Sequence, residues 1–167
     1  MNDVSVREYQ EQDSDGIVGL IISLQSYFKE IDLSGEKIEF ENRESAEEYL
    51  GKALKDNEEM DGILLVAESE DKIVGFIQGV MIEHNEDVMF KLTHIKRKDG
   101  WIGLLFVNPD TRGKGVAQSL IGKMKEFFKR NGCVSMRLKV DSNNKLAMNV
   151  YTKYGFTPRD LEMAVKI

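Results

Sequence analysis

The stretch Val107-Asn108-Pro109-Asp110-Thr111-Arg112-Gly113-Lys114-Gly115-Val116-Ala117 joins a predicted strand to a predicted helix. An apolar run from Trp101 ends at Val107, and Pro109 lacks the N–H group that would continue the ladder of a strand. Beyond the glycines, apolar residues recur with helical spacing at Val116, Ala117, Leu120, Ile121, Met124, Phe127 and Phe128. The sequence therefore predicts a strand, a glycine-rich turn and an amphipathic helix.

The glycine-rich turn is suited to binding a phosphate group. The first N–H groups of a helix have no partner within the helix, and the helix dipole adds positive potential there. Gly113 and Gly115 carry no Cβ atom that would keep a pyrophosphate away from the backbone. Arg112 and Lys114 add positive charge beside them. We therefore expect an anionic ligand at this turn.

Several other functional classes are disfavoured by the residues present. Val116 stands where a mononucleotide-binding loop needs a lysine, and Gln118 stands where the dinucleotide fingerprint needs a third glycine. Cys133 is the single cysteine, so neither an internal disulfide nor a multi-cysteine metal site is expected, and no metal is predicted. No basic patch with interleaved aromatic residues is present, so no nucleic-acid partner is expected.

No membrane association is predicted either. No apolar run in the sequence is long enough to span a bilayer. The first residues lack the basic-then-apolar pattern of a signal peptide, so a cytoplasmic protein is expected.

Periodicity along the rest of the chain predicts a mixed α/β (α+β) domain. Strands are predicted at 4–9, 63–68, 72–82, 101–107, 134–140 and 161–167, and Gly75 and Gly79 indicate a bulge or a close backbone approach. Helices are predicted from the capping residues 13–15 to about 28, and at about 45–55, 116–132 and 143–154. Residues 83–100 are expected to form a polar hairpin end. The element order is β-α-α-β-β-β-α-β-α-β in one domain, 1–167.

A second motif lies on the last predicted helix. It reads Asn144-Lys145-Leu146-Ala147-Met148-Asn149-Val150-Tyr151, followed by Tyr154-Gly155-Phe156. Together with Arg112-x-x-Gly115-x-Ala117, this pattern resembles the two hallmark motifs of the GNAT family of N-acetyltransferases, in the same order. The resemblance covers nearly the whole chain. It implies a central twisted mixed sheet of about six or seven strands flanked by about four helices.

The resemblance implies that acetyl-CoA is a co-substrate. It also implies which positions of this sequence bind it, since the motif positions can be matched one by one. The pantetheine arm would lie in a gap beside the strand that precedes the glycine turn, and a backbone N–H near Val107 would polarise the thioester carbonyl. The implied cofactor-binding residues are Leu105, Phe106, Val107, Arg112, Gly113, Lys114, Gly115, Val116, Ala117, Asn144 and Tyr151.

Two of these residues have a further or alternative role. Asn144 corresponds to an asparagine that contacts the cofactor arm, although its side chain is also a good helix cap. Tyr151 matches the tyrosine that donates a proton to the departing thiolate as a general acid. Since a free thiol has a pKa near 8.5 and a free phenol near 10, that transfer need not be strongly uphill.

The general base and the acceptor are not identified by the sequence. Lys139 stands where some family members carry a glutamate, and Glu83 and His84 are weak candidates for the base. Residues 30–61 contain 12 acidic and four basic residues, which favours a cationic acceptor, either a small-molecule or a protein amine. The expected reaction is direct transfer to a primary amine in a ternary complex, by a monomer or a homodimer. The alternative is a non-catalytic acyl-CoA sensor with the same fold.

Overall fold

The computed structural model describes residues 4–31, 42–84 and 97–160. In chain order the main elements are β1 (Ser5–Glu8), α1 (Ser14–Ile31), α2 (Arg43–Glu59), β2 (Ile63–Ser69), β3 (Lys72–His84), β4 (Arg97–Val107), α3 (Val116–Arg130), β5 (Ser135–Leu138) and α4 (Lys145–Lys153). Short 3-10 turns precede α1 and follow β4. None of the described helices is both long and apolar enough to cross a membrane.

One sheet contains all five described strands, in the order β1-β2-β3-β4-β5. The first four strands pair antiparallel as neighbours, whereas β5 pairs parallel to β4. Helix α3 makes the crossover between these two parallel strands, as a parallel connection requires. The glycine-rich turn therefore lies at the carboxyl end of β4, where α3 begins.

The two faces of the sheet bury separate apolar clusters. Helix α3 covers one face, where Leu120, Met124 and Phe128 pack on alternate residues of β3 such as Ile77 and Met81. The other face is covered by α1 and α2; its buried residues include Ile17, Ile21, Leu24, Leu50, Val66, Phe76 and Phe106. The period-two alternation of the strands thus supplies both cores.

A partly buried ion pair fixes the start of α1. Arg7 on β1 donates two hydrogen bonds to the carboxylate of Asp13, at 2.7 and 2.9 Å, and a third to Glu68 on β2 at 2.9 Å. Asp13 is 5% exposed, and the Arg7 guanidinium lowers the pKa of its carboxyl group. The helix is thereby attached to the β1–β2 edge of the sheet.

The predicted order of elements is confirmed over the described residues, with two differences. The predicted strand 161–167 lies outside the described residues, which contain five strands rather than six or seven. Residues 97–100, expected in a hairpin end, are instead the first residues of β4. They pair with the end of β3, and the charge of Asp99 is met there by Arg97 and Arg137 at 3.1 and 3.0 Å. A polar stretch can therefore be a strand because its charges are paired.

Candidate active site

The ladder between β4 and β5 stops before β4 ends. The parallel pairing reaches only Ile102 and Leu138, whereas β4 continues beside β3 as far as Val107. At the same point the register of β3 and β4 skips Gly103, which makes it a β-bulge residue. Bulges bend a strand and increase its twist. Beyond the bulge, a gap lies along residues 103–107 on the side where β5 would continue.

A contact across the sheet explains the glycine at the bulge. A Cβ atom at Gly103 would lie 2.4 Å from Oε1 of Gln78. Gln78 is 5% exposed, and its Nε2 donates to Oδ1 of Asn57 on α2 at 2.8 Å. Because that bond ties β3 to α2, the Gln78 side chain cannot turn away without losing it. A residue larger than glycine would therefore disturb the bulge or this bond.

Backbone groups of β4 face the gap at alternate residues. Asn108 donates its N–H to the carbonyl of Val74 on β3 at 2.9 Å. Since alternate residues of an antiparallel strand direct their backbone groups to the same neighbour, Phe106 also directs its N–H to β3. Leu105 and Val107 therefore direct their N–H and C=O groups into the gap. The N–H groups of both residues and the carbonyl of Leu105 are available to hydrogen-bond an extended ligand lying there, whereas the carbonyl of Val107 already accepts a hydrogen bond from Arg112.

The turn after β4 has the backbone of an anion site. Gly113 and Gly115 have φ of 78° and 84°, in the left-handed region that favours glycine, and a Cβ atom on either would meet no atom within 4 Å. The helical ladder of α3 begins with the N–H of Ser119 bound to the carbonyl of Gly115 at 3.0 Å. Gly115 occupies the cap position and supplies no side-chain cap. The first N–H groups of α3 therefore remain open to a ligand.

The Arg112 side chain folds back over the end of β4. Its Nε donates to the carbonyl of Val107 at 3.3 Å. The guanidinium carbon lies 5.8 Å from the ring centroid of Tyr27 on α1 and 5.9 Å from that of Phe106. Both distances are within the range of cation–π attraction. Arg112 thus links the glycine-rich turn, β4 and α1.

Asn144 caps α4 and also contacts α1. Its Oδ1 accepts the N–H of Ala147 at 3.0 Å, which confirms the capping role. The same oxygen accepts the hydroxyl of Tyr27 at 3.0 Å. Asn144 is 7% exposed, so both bonds are formed in a desolvated place. The cofactor contact implied by the family resemblance stays a prediction.

Tyr151 lies on α4, partly buried against the core beneath α3. Its ring packs edge-on against Phe156, with centroids 5.5 Å apart. Burial raises the pKa of the Tyr151 phenol to about 12. The group is therefore a proton donor throughout the physiological pH range, and a weaker acid than a solvated tyrosine.

These parts surround one cavity of about 790 Å³. All the predicted cofactor-binding residues line it except Lys114, which is exposed on the turn. Its walls come from both faces of the sheet, since Leu24, Tyr27 and Phe28 of α1 lie on one side and the residues of α4 on the other. The cavity thus passes through the gap between β4 and β5.

Glu83, one of the two weak candidates for the base, lies away from this cavity. Glu83 is exposed near the end of β3, where its carboxylate pairs with Nζ of Lys98 at 3.4 Å. In the ladder it stands opposite Lys98, five residues before the bulge at Gly103, or roughly 17 Å along the strand. His84 is the next residue and ends β3. The structure does not bring Glu83 to the site.

The acidic residues of α2 also lie outside the cavity. No residue of the described helix Arg43–Glu59 lines it, and residues 32–41, which carry further acids, lie outside the described part. The described lining contains the cations Arg112, Lys139 and Lys153 and one carboxylate, Asp141. The charge of α2 therefore gives no support to a cationic acceptor.

The sequence does not single out Tyr27 and Gly103, which line the cavity, or Gln78, which contacts Gly103 from outside the lining. Tyr27 has the same helical spacing as the apolar residues of α1, so nothing distinguishes it from a core aromatic residue. Gly103 and Gln78 acquire their roles only when β3 and β4 pair. No local pattern signals these long-range contacts.

Comparison with known families agrees with this geometry. The model of the Acetyltransferase (GNAT) family matches residues 23–156. The chain therefore belongs to the GNAT family of acetyltransferases. The matched residues include the gap, the glycine turn and both motifs.

Individual relatives are more distant. An uncharacterized N-acetyltransferase of Methanocaldococcus jannaschii is 36% identical over 66 residues, which are 40% of this chain and 29% of that relative. The matched part thus spans less than a third of the relative's length. A transcriptional regulator from Bacillus halodurans C-125 is similar in structure, with a TM-score of 0.72, 22% identity and coverage of 99% of this chain and 100% of that one. Similarity at this level shows the fold alone.

A further solved structure is that of AAC(6')-Iy bound to the bisubstrate analog CoA-S-monomethyl-acetylneamine. It has a TM-score of 0.69 and 16% identity, and the match covers 99% of this chain and 98% of that one. A protein with the same fold is thus bound to a CoA-containing analog in that structure.

Proposed function

We propose that the chain, as one domain over 1–167, transfers the acetyl group of acetyl-CoA to a primary amine by direct attack in a ternary complex. The observation that carries the proposal is the gap beside β4. There the backbone groups of Leu105 and Val107 face a cavity that continues to the open N–H groups of α3. An extended arm that ends in a pyrophosphate fits this combination of groups.

In this proposal the chain holds acetyl-CoA mainly through its backbone. The N–H groups from Gly113 to Ala117 bind the pyrophosphate, and the glycines let it approach. Leu105 and Val107 bond the arm, and a gap-facing N–H stabilises the negative charge that develops on the thioester oxygen during attack. We assign Phe106 to the cavity wall, since its backbone groups face β3.

Tyr151 acts in the proposal as the acid that meets the departing thiolate. With its pKa raised to about 12, the phenol is protonated before each turnover. Full proton transfer to a solvated thiolate would be uphill by several pKa units, each worth about 1.4 kcal/mol. The burial that weakens the phenol also raises the pKa of a thiol leaving into the same cavity. We therefore propose that Tyr151 first stabilises the sulfur by a hydrogen bond and delivers the proton as the thiol leaves.

The acceptor is proposed only as a primary amine. AAC(6')-Iy is bound to the bisubstrate analog CoA-S-monomethyl-acetylneamine, and its identity of 16% carries no acceptor class over to this chain. An amine must lose a proton to attack, and we assign no residue of the described cavity as its base. Position 139, directly after β5, holds a lysine rather than the glutamate of some family members, so we propose no base there.

The test is a thiol-release assay with acetyl-CoA and a broad panel of primary amines. The proposal expects amine-dependent release of CoA by the wild type, and at least a ~10²-fold lower kcat in Tyr151→Phe with similar affinity for CoA. If the wild type binds acetyl-CoA and turns over no amine, the acyl-CoA sensor is the better explanation.

A further inference from the structure

Tyr27 of α1 connects the two sequence motifs of the cavity. Its hydroxyl bonds Asn144, which is 117 positions away in the chain, and its ring lies under the guanidinium of Arg112. These contacts join the helix that precedes the motifs to both walls of the groove. Tyr27 itself lines the cavity.

The hydrogen bonds at Asn144 determine which way its side-chain amide faces. A backbone N–H can only donate, so the atom that meets the N–H of Ala147 must be the amide oxygen. Tyr27 meets the same atom and therefore also donates to it. An amide oxygen has two lone pairs, and both are now used. The amide nitrogen, Nδ2, makes no hydrogen bond to a described residue and is the group left to contact a ligand in the cavity.

We propose that Tyr27 is a positioning residue that holds the Asn144 amide with Nδ2 directed at the acyl-CoA arm. One bond to Oδ1 would leave the amide plane free to turn about that contact, whereas two bonds from different directions fix it. Nδ2 then offers a donor to a carbonyl oxygen of an arm amide. The inference rests on the proposed function, and it makes α1 part of the cofactor site.

The test is Tyr27→Phe, which removes the hydroxyl and keeps the ring beside Arg112. We expect the KM for acetyl-CoA and the Kd for CoA to rise about 5- to 10-fold, as for one hydrogen bond, with kcat changed less than about twofold. Adenosine 3′,5′-bisphosphate lacks the arm, and its Kd should not change. The matched control is Tyr9→Phe. The Tyr9 hydroxyl bonds Ser14 outside the cavity, so its loss should leave all four constants unchanged.

A double-mutant cycle tests whether Tyr27 acts through Asn144. Serine keeps the cap of α4 but has no amide, so Tyr27→Phe should cause no further loss of CoA affinity in an Asn144→Ser background. An equal loss in both backgrounds would overturn the inference, as would an unchanged Kd in Tyr27→Phe alone. If wild type fails to bind CoA at all, the proposed function falls together with this inference. If wild type binds and Tyr27→Phe binds equally well, only the role of Tyr27 is refuted.

Discussion

Gly115→Ala separates backbone strain from ligand binding, because the chain contains a matched glycine elsewhere. Gly115 and Gly132 have φ of 84° and 79°, and a Cβ atom on either would meet no atom within 4 Å. The two glycines flank the same helix, α3. Only Gly115 lines the cavity. Alanine at the two positions therefore imposes the same strain, and only one substitution places a methyl group where the pyrophosphate is proposed to lie.

The two substitutions should have similar effects on stability but different effects on CoA affinity. Holding alanine in the left-handed region costs about 1–2 kcal/mol, so both variants should lose about that much free energy of unfolding. At Gly115 the methyl group would also keep the phosphate from one or two backbone N–H groups. Each charge-assisted bond is worth about 1.5–3 kcal/mol, so the Kd for CoA should rise about 10- to 100-fold or more.

Urea unfolding and calorimetric titration with CoA measure the two effects separately. The expected pattern is two variants of similar stability, with weakened CoA binding in Gly115→Ala alone. The reasoning is refuted if Gly115→Ala binds CoA like wild type. It is also refuted if Gly132→Ala loses as much affinity, since strain alone would then explain the effect.

Three other predictions follow from the described contacts. Because burial raises the pKa of Tyr151 from 10.0 to about 12, the free energy of unfolding of the wild type should fall as the pH rises from about 10 to 12. In alkaline urea titrations, Tyr151→Phe should show a smaller fall over that range. Equal dependence of the unfolding free energy on pH in the two proteins would contradict the burial of the phenol. Glu83→Gln should change kcat less than about twofold in the thiol-release assay, since Glu83 lies exposed on β3, and a large loss would make it the base after all. Gly103→Ala should lower the free energy of unfolding by about 1–3 kcal/mol through the clash with Gln78. In a Gln78→Ala background the clash is mostly relieved, so the same substitution should cost less. If the losses from Gly103→Ala and Gln78→Ala simply add, the contact between the two residues is contradicted.

The elements of the fold could be predicted because their signals are local. Apolar residues recur every three to four positions from Val116 to Phe128, which predicts α3, and the glycines before them predict the turn. The two motifs then predicted which residues would meet, and all of them except Lys114 line the cavity. The two motifs meet at the cavity because β4 and β5 are neighbours in the sheet.

The remaining features could not be predicted because they depend on pairing between distant strands and helices. The bulge at Gly103 exists only in the register of β3 and β4, and the contact from Tyr27 to Asn144 joins residues 117 positions apart. Residues 97–100 read as loop from sequence because the ion pairs of Asp99 with Arg97 and Arg137 form only when β4 and β5 lie side by side. Glu83 is a candidate from sequence because it follows a central strand, yet in the fold its carboxylate pairs with Lys98 near the end of β3, away from the cavity.

The central claim is that the gap beside β4 holds the arm of acyl-CoA, and residue-resolved amide hydrogen exchange tests it most directly. The N–H groups of Leu105 and Val107 face the gap, whereas that of Phe106 is already directed to β3. On saturation with CoA, the exchange of Leu105 and Val107 should slow markedly while that of Phe106 changes little. Unchanged exchange at Leu105 and Val107 under saturating CoA would contradict the claim.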